Sequence, residues 1–330
     1  MPLIEGKNVN DLWTKAFDFL DKNGREIESQ KGKTKEVCQI TLELENPQQR
    51  WLTAREKPMN PAFSIAEVVW IINGCSDASL INPWNPALPK FAGKVKNYYG
   101  AYGKRIKENF GFDQFKNAYK TLKNSPETRQ VVIQIWDPTK DFPFNTGKAR
   151  ASDIPCNICS LLKLRDGKLH WKQIMRSNDL FKGLPNNIVQ FTTLQELMAD
   201  WLNAEVGTYS HFSDSLHFYY DDISHYGYRE RPISYHNIDT LNLTPSNSSY
   251  YFNRLLEVMK RLSKKNLSKD KFLETIGHSF NNQAIENMKI LLSSDIAMRR
   301  EWVTIFEGLI SQCSNPLYVE MMREWNSFNT

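Results

Sequence analysis

Between residues 153 and 222, reactive and polar side chains interrupt otherwise apolar, periodic sequence. They are a cysteine behind a proline (Pro155-Cys156), the tetrapeptide Arg176-Ser177-Asn178-Asp179, the run GLPNN ending in Asn187, and the triplet His217-Phe218-Tyr219. A core gains nothing from so many polar groups, so they read as one site. Cys156 is a candidate nucleophile, although a lone cysteine is more often a small buried hydrophobe. The spacing Cys156-x-x-Cys159 has no second pair to complete a zinc site, and residues one and four of a strand face opposite ways. An arginine and a hydroxyl at a strand end, Arg176 and Ser177, suit a phosphate, because the guanidinium fork binds oxyanions bidentately; a surface ion pair is the plainer alternative. Asn187 offers an amide that reads a base edge, or simply caps a helix. His217 and Tyr219, two apart on a strand, share a face and could hold a sugar hydroxyl, or form a buried pair. Taken together, a thiol, an oxyanion clamp, an amide and a hydroxyl-binding pair describe a covalent nucleotide-modifying site.

The elements that must position these groups are legible by period. Residues 8–23 repeat apolar positions at helical spacing after Asn8, a cap residue. A polar loop with Arg25, Lys31, Lys33 and Lys35 follows, and residues 37–45 alternate as a strand. WLTAREK reads as a short strand ending in Arg55. Residues 62–74 form an apolar helix interrupted by Glu67, a carboxylate that is expensive there unless paired, protonated or used. A helix at 113–124, a strand in ETRQVVIQIWDP and an exposed loop at 139–152 come next. Cys156 opens a strand that turns at Asp166-Gly167 into a second, which ends at Arg176. A helix over 187–205 and a strand through His217 complete the region. After about residue 245 the sequence turns helical and rich in lysine and glutamate.

Size and composition bound the function. The chain has 330 residues, and 41 % hydrophobic content supports a large core rather than disorder. A net charge of +5, spread along the chain, suits phosphorylated substrates but makes no nucleic-acid-binding tail. No apolar run approaches the roughly 20 residues of a membrane span. Five scattered cysteines (Cys38, Cys75, Cys156, Cys159, Cys313) argue against a disulfide framework and for a cytoplasmic location.

From about residue 8 to about residue 235 the sequence resembles thymidylate synthase and its relatives, the pyrimidine nucleotide hydroxymethylases. The motifs IAEVVWIING, YYGAYGKR, ETRQVVIQIWDP, PC, MRSND, GLPNNI and LHFY stand in the family's order. The resemblance implies an α/β fold, a large mixed sheet flanked by helices, spanning residues 1–245, with an all-helical extension at 246–330. It implies a homodimer that transfers a one-carbon unit from 5,10-methylenetetrahydrofolate to carbon 5 of a pyrimidine nucleoside monophosphate, without a metal. Carried over by motif position, Cys156 attacks carbon 6 and Glu67 organises proton transfers around the base. Tyr99 is a site tyrosine, and Asp179 serves the folate ring and proton abstraction. Arg176 and Ser177 bind phosphate, with Arg129 donated across the dimer interface. Asn187 reads the base, His217 and Tyr219 hold the sugar hydroxyl, and Trp84 lines the folate.

Several positions depart from the family pattern. Asn157 stands where the family has a histidine, and Gln130 replaces the second interface arginine. Arg25, Lys31 and Lys33 compete for the N-terminal phosphate contact. Only Trp84 remains of two tryptophans before the Tyr-Gly motif, and Asp214-Ser215-Leu216 replaces Gly-Asp before His217. The tail that closes a synthase over folate is missing, with helical sequence in its place. A site so opened admits water, which favours a hydroxymethyl over a methyl product. An amide at 187 favours uracil, although characterised hydroxymethylases of the family often act on cytosine, and a ribonucleotide substrate stays open. The competing readings are thymidylate synthase itself and an inactive nucleotide-binding scaffold.

Overall fold

The computed structural model describes residues 1–29, 32–229 and 232–329; Lys31, one of the basic candidates, lies outside the described residues. In chain order the elements begin with β1 (Leu3–Gly6), α1 (Val9–Asn23), β2 (Arg25–Ser29), β3 (Gly32–Leu44), α2 (Pro61–Ile72), α3 (Leu88–Ala92) and α4 (Tyr102–Lys107). There follow α5 (Gln114–Asn124), β4 (Val132–Gln134), α6 (Pro138–Asp141), β5 (Asn157–Arg165), β6 (Lys168–Met175) and β7 (Asn178–Asp179). The chain continues through α7 (Gly183–Leu202), β8 (Glu205–Tyr219), α8 (Tyr220–Tyr226) and α9 (Pro245–Leu262). It ends with α10 (Lys269–Ile276), α11 (Gln283–Arg299), α12 (Val303–Ile310) and α13 (Pro316–Asn329).

Two compact units result: Met1–Met59, Gln114–Trp136 and Cys156–Asn237 form the first, and Asn60–Asp113, Asp137–Pro155 and Ile238–Thr330 the second. Packing therefore divides the chain otherwise than at 245/246. Helices α9–α13 are indeed the helical run expected there, but α11 packs on α2, and both belong to the second unit.

The first unit holds a mixed eight-stranded sheet in the order β1-β3-β8-β6-β5-β4, with β2 paired to β3 and β7 to β8. The α/β class is as expected. Local chemistry explains the helices on it. Asn8 accepts from the Asp11 amide at 3.0 Å and starts α1, whose Leu12, Trp13, Ala16 and Leu20 are buried at helical spacing. The Trp13 indole donates to the Leu180 carbonyl at 2.9 Å. Asp166 and Gly167 both take positive φ (50° and 74°), which joins β5 to β6 by the tight turn the sequence predicts.

Five expectations are corrected. The polar loop at 25–35 is the β2–β3 hairpin, because opposite charges face each other across it. Lys33 pairs with Glu26 at 2.7 Å, and Lys35 with Asp21 of α1 at 3.0 Å. WLTAREK is not a strand, since the Asn10 side chain takes the Thr53 and Ala54 amides at 2.7 and 3.0 Å in place of a ladder. Arg55 makes only an isolated bridge to Tyr228. Asn187 is not a helix cap: α7 begins at Gly183, four residues earlier. The loop expected at 139–152 begins with the short helix α6, and β4 spans only three residues of its motif.

The second unit is helical throughout its described elements. Asn60 caps α2 through the Ala62 and Phe63 amides at 3.0 and 3.2 Å, and Pro61 fits the first turn. Among the described residues no helix is long and apolar enough to cross a membrane.

Candidate active site

Strand β8 changes phase midway. Tyr209, His211 and Ser213 are buried in its first half, whereas Leu216 and Phe218 are buried in its second. The change falls at Asp214-Ser215, and Gln39 on the neighbouring strand β3 takes a positive φ of 56° at the same level. The consequence is that Phe218 packs against Phe17 and Phe181, leaving His217 and Tyr219 half-exposed.

Other elements of the first unit meet this strand. Cys156 is half-exposed, in no disulfide, and stands immediately before β5 rather than within it. A register shift between Asn157 and Cys159 follows, the kind of irregularity that re-aims side chains. The Cys156 carbonyl accepts the Arg176 amide at 2.9 Å, so the two residues are tied at the ends of β5 and β6. The Arg176 guanidinium lies 5.6 Å from the centroid of the Trp136 ring, a stacking that fixes its fork. Ser177 is half-exposed beside it. Strand β7 then pairs Asp179 with His217, and the Leu180 amide donates to the His217 carbonyl at 2.8 Å. His217 and Tyr219 meet edge to face at 5.5 Å.

Charge is unevenly placed here. Asp179 accepts the Phe181 and Lys182 amides at 2.8 and 2.9 Å, yet burial pushes its carboxyl above the usual range, against the pull of the Lys182 amide and His217. Burial, then the Asp179 charge, push the Tyr219 phenol upward, and Cys156 adds to the effect. Sequence reading missed a basic group beside Asp179. Arg55 is buried, donates to the Lys57 and Phe181 carbonyls and lies 4.8 Å from the Tyr226 centroid; burial lowers it to about 10, which leaves it charged at neutral pH. Lys182 pairs with Asp222 at 2.7 Å and lies over Tyr219 and Tyr226. Of these, Arg55 and Lys57 had a faint signal, two cations in the aromatic-led run WLTAREK; Lys182 had none outside its motif.

Asn187 is 7 % exposed and donates its Nδ2 to Asn178 Oδ1 at 3.3 Å. Asn157, fully buried, accepts from Gln173 Nε2 at 2.7 Å, and its own Nδ2 has no hydrogen-bond partner among the described residues.

Not every candidate joins this cluster. Arg129 is exposed next to the edge strand β4, where its carbonyl accepts Lys163. Lys33 and Arg25 lie in the β2–β3 hairpin, Lys33 ion-paired there. Three candidates belong to the second unit. Glu67 is the one partly exposed residue between Pro61 and Ile71, all others there being buried. Tyr99 is 37 % exposed, donates its hydroxyl to the Lys140 carbonyl at 2.8 Å and is stacked with Arg105, itself paired to buried Asp141 at 2.6 Å. Trp84 is 1 % exposed, and its indole donates to the Leu292 carbonyl at 3.0 Å. Trp84, expected beside the folate, is thus buried within the helical unit.

A half-exposed thiol, a stacked arginine and a carboxyl raised by burial thus lie at the strand ends of one mixed sheet, with the Asn187 amide on α7. The thymidylate synthase family model matches residues 15–254, and the chain belongs to that family. It is 34 % identical over 233 residues to a deoxyuridylate hydroxymethyltransferase of Bacillus phage SP01, covering 67 % of this chain and 60 % of that protein. A deoxyuridylate hydroxymethyltransferase of Pseudomonas phage M6 is 28 % identical over 222 residues, covering 66 % of this chain and 62 % of the relative. The chain thus spans about 60 % of the length of these phage relatives. A protein of Methanothermobacter thermautotrophicus, provisionally named a thymidylate synthase, is 27 % identical over 230 residues and is covered over 92 % of its length.

Proposed function

We propose that this protein is a one-carbon transferase acting on carbon 5 of deoxyuridylate and releasing the hydroxymethyl nucleotide. The observation that carries the reading is the grouping of Cys156, Arg176, Asp179, His217 and Tyr219 around the ends of β5–β8. The Cys156 sulfur adds to carbon 6 of the base, and the electron pair of the carbon 5–carbon 6 bond moves to carbon 5 and the carbonyl at position 4. Carbon 5 then bonds to the one-carbon unit and loses its hydrogen as a proton; the bond from that unit to the folate nitrogen would break to release tetrahydrofolate, water would add its hydroxyl to the same carbon, and Cys156 leaves carbon 6, restoring the double bond. Glu67 manages the proton transfers, with Tyr99 alongside it. Arg176 and Ser177 hold the phosphate, joined by Arg129 of a second copy in a homodimer. His217 and Tyr219 hold the sugar hydroxyl, and Asn187 reads the base.

5,10-Methylenetetrahydrofolate would supply the one-carbon unit. Asp179 fits it, because a carboxyl raised by burial is able both to hydrogen-bond ring N–H groups and to exchange a proton. Lys57 and Lys182 suit its carboxylates. Trp84 does not fit, being enclosed in the helical core. That enclosure supports the hydroxymethyl product, since an aromatic wall is what would keep water from the one-carbon intermediate. The names of the two phage relatives point the same way. Reductive methylation to thymidylate is the second reading, favoured by the length match to the archaeal relative. Product mass and folate analysis separate them: hydroxymethyl-deoxyuridylate with tetrahydrofolate supports the proposal, and thymidylate with dihydrofolate overturns it.

A further inference from the structure

A line of hydrogen bonds runs from Asn187 into the interior of the first unit. Asn187 Nδ2 donates to Asn178 Oδ1 at 3.3 Å, Asn178 Nδ2 meets His211 Nε2 at 2.8 Å, and His211 Nδ1 meets the Tyr209 hydroxyl at 2.9 Å. Tyr209 and His211 are wholly buried, and Asn178 is 3 % exposed. With the Asn178 amide in this orientation its nitrogen, which carries no lone pair with which to accept, donates to a bare His211 Nε2, and the imidazole proton then sits on Nδ1, towards Tyr209. Burial lowers the imidazole to about 3, so it holds one proton and not two at neutral pH. The Asn178 amide also sits in a slot: a Cβ added at Gly183 would lie 2.7 Å from its Oδ1.

We propose that Asn178, His211 and Tyr209 are positioning residues that lock the Asn187 amide in the orientation that reads uracil and rejects cytosine. The proposal rests on Asn187 facing the base, as in the function proposed above. Uracil presents an N–H at position 3 and a carbonyl at position 4; cytosine presents a bare nitrogen and an amino group. With one N–H directed to Asn178, Asn187 keeps Oδ1 for the uracil N–H and its second N–H for the carbonyl. An isolated asparagine would serve cytosine by turning over. Here a turn sets Asn187 Oδ1 against Asn178 Oδ1. Relief requires Asn178 to turn as well and the His211 proton to move from Nδ1 to Nε2. Three buried groups must change together, which a freely rotating amide does not face.

The first test needs no nucleotide. Imidazole 15N resonances of the dimeric or monomeric protein as purified, with His211 identified by its loss in His211→Gln, report the tautomer. The wild type is expected to show the Nδ1–H form. Asn187→Asp leaves only acceptors at 187, so Asn178 must turn and the proton must move to Nε2; an unchanged tautomer in that variant overturns the lock. The second test is calorimetric titration of deoxyuridylate and deoxycytidylate into wild type, His211→Phe and His211→Gln. The wild type is expected to prefer deoxyuridylate, and His211→Phe to lose about tenfold of that preference. His211→Gln, which again has one donor and one acceptor end, restores it. A preference in His211→Phe equal to wild type overturns the inference. Wild type that binds neither nucleotide, with the tautomer exchange intact, overturns the nucleotide reading and not the lock.

Discussion

Gln173 donates its Nε2 to Asn157 Oδ1 at 2.7 Å and so grips, from β6, the residue that follows Cys156. The same amide donates to the Cys159 carbonyl at 3.2 Å and accepts from Ser160 Oγ at 2.7 Å and Trp171 Nε1 at 3.1 Å. All its hydrogen-bonding capacity is used, with no exposed surface. Gln173→Leu removes four partners at once in a buried setting. We expect it to lose about 2–4 kcal/mol of stability. The urea midpoint checks this, and a loss below about 1 kcal/mol contradicts the role assigned to Gln173.

Asp179 makes a pH-dependent prediction. Its carboxyl is raised in the folded protein, so the folded state holds the proton more tightly than the unfolded chain does. The associated stability is complete below the ordinary carboxylate pKa of about 3.9 and is lost as pH rises through the raised value. Asp179→Asn keeps an acceptor for the Phe181 and Lys182 amides but never ionises. It should melt above wild type at neutral pH, with the gap shrinking as pH falls, while activity drops about 100-fold or more. A gap that widens on acidification contradicts the sign.

Arg176 is held over Trp136, so its fork, and not only its charge, is at issue. Arg176→Lys should lower kcat/KM for the nucleotide by about 10- to 100-fold, mainly through KM. Trp136→Leu should have a smaller effect in the same direction, about 0.5–1 kcal/mol. Steady-state kinetics decides; equal effects of the two variants would mean that stacking and not oxyanion binding dominates.

In the helical unit, Asp295 gathers Asn60, Arg299 and the Trp325 indole at 2.9, 2.6 and 3.1 Å, linking the cap of α2 to α11 and α13. Asp295→Ala strands a guanidinium and two other donors. A loss of about 3–5 kcal/mol is expected from thermal or urea melting. Unchanged melting would show that the C-terminal helices hold together without it.

The sequence made the sheet and the β5–β6 hairpin legible because each rests on local period or on a turn with its own chemistry, as at Asp166-Gly167. The 51–57 segment misled because Asn10, more than 40 residues away, supplies the hydrogen bonds that a strand would have found in a ladder. The charged hairpin misled because its ion pairs are cross-strand and have no signature along the chain. Trp84 illustrates a different limit: a motif position identifies an indole, but whether its face meets ligand or core is decided by α11, some 200 residues later. The Asn178-His211-Tyr209 line was invisible for the same reason, since a buried histidine on an alternating strand looks like any other core position.

The central claim is covalent chemistry at Cys156. The most direct measurement is tritium release from deoxyuridylate labelled at carbon 5, in the presence of methylenetetrahydrofolate, by wild type and by Cys156→Ala. The account predicts release by wild type and none above background by the variant, which should still bind the nucleotide through Arg176, His217 and Tyr219. Release by both proteins, or by neither although wild type binds deoxyuridylate, would contradict it.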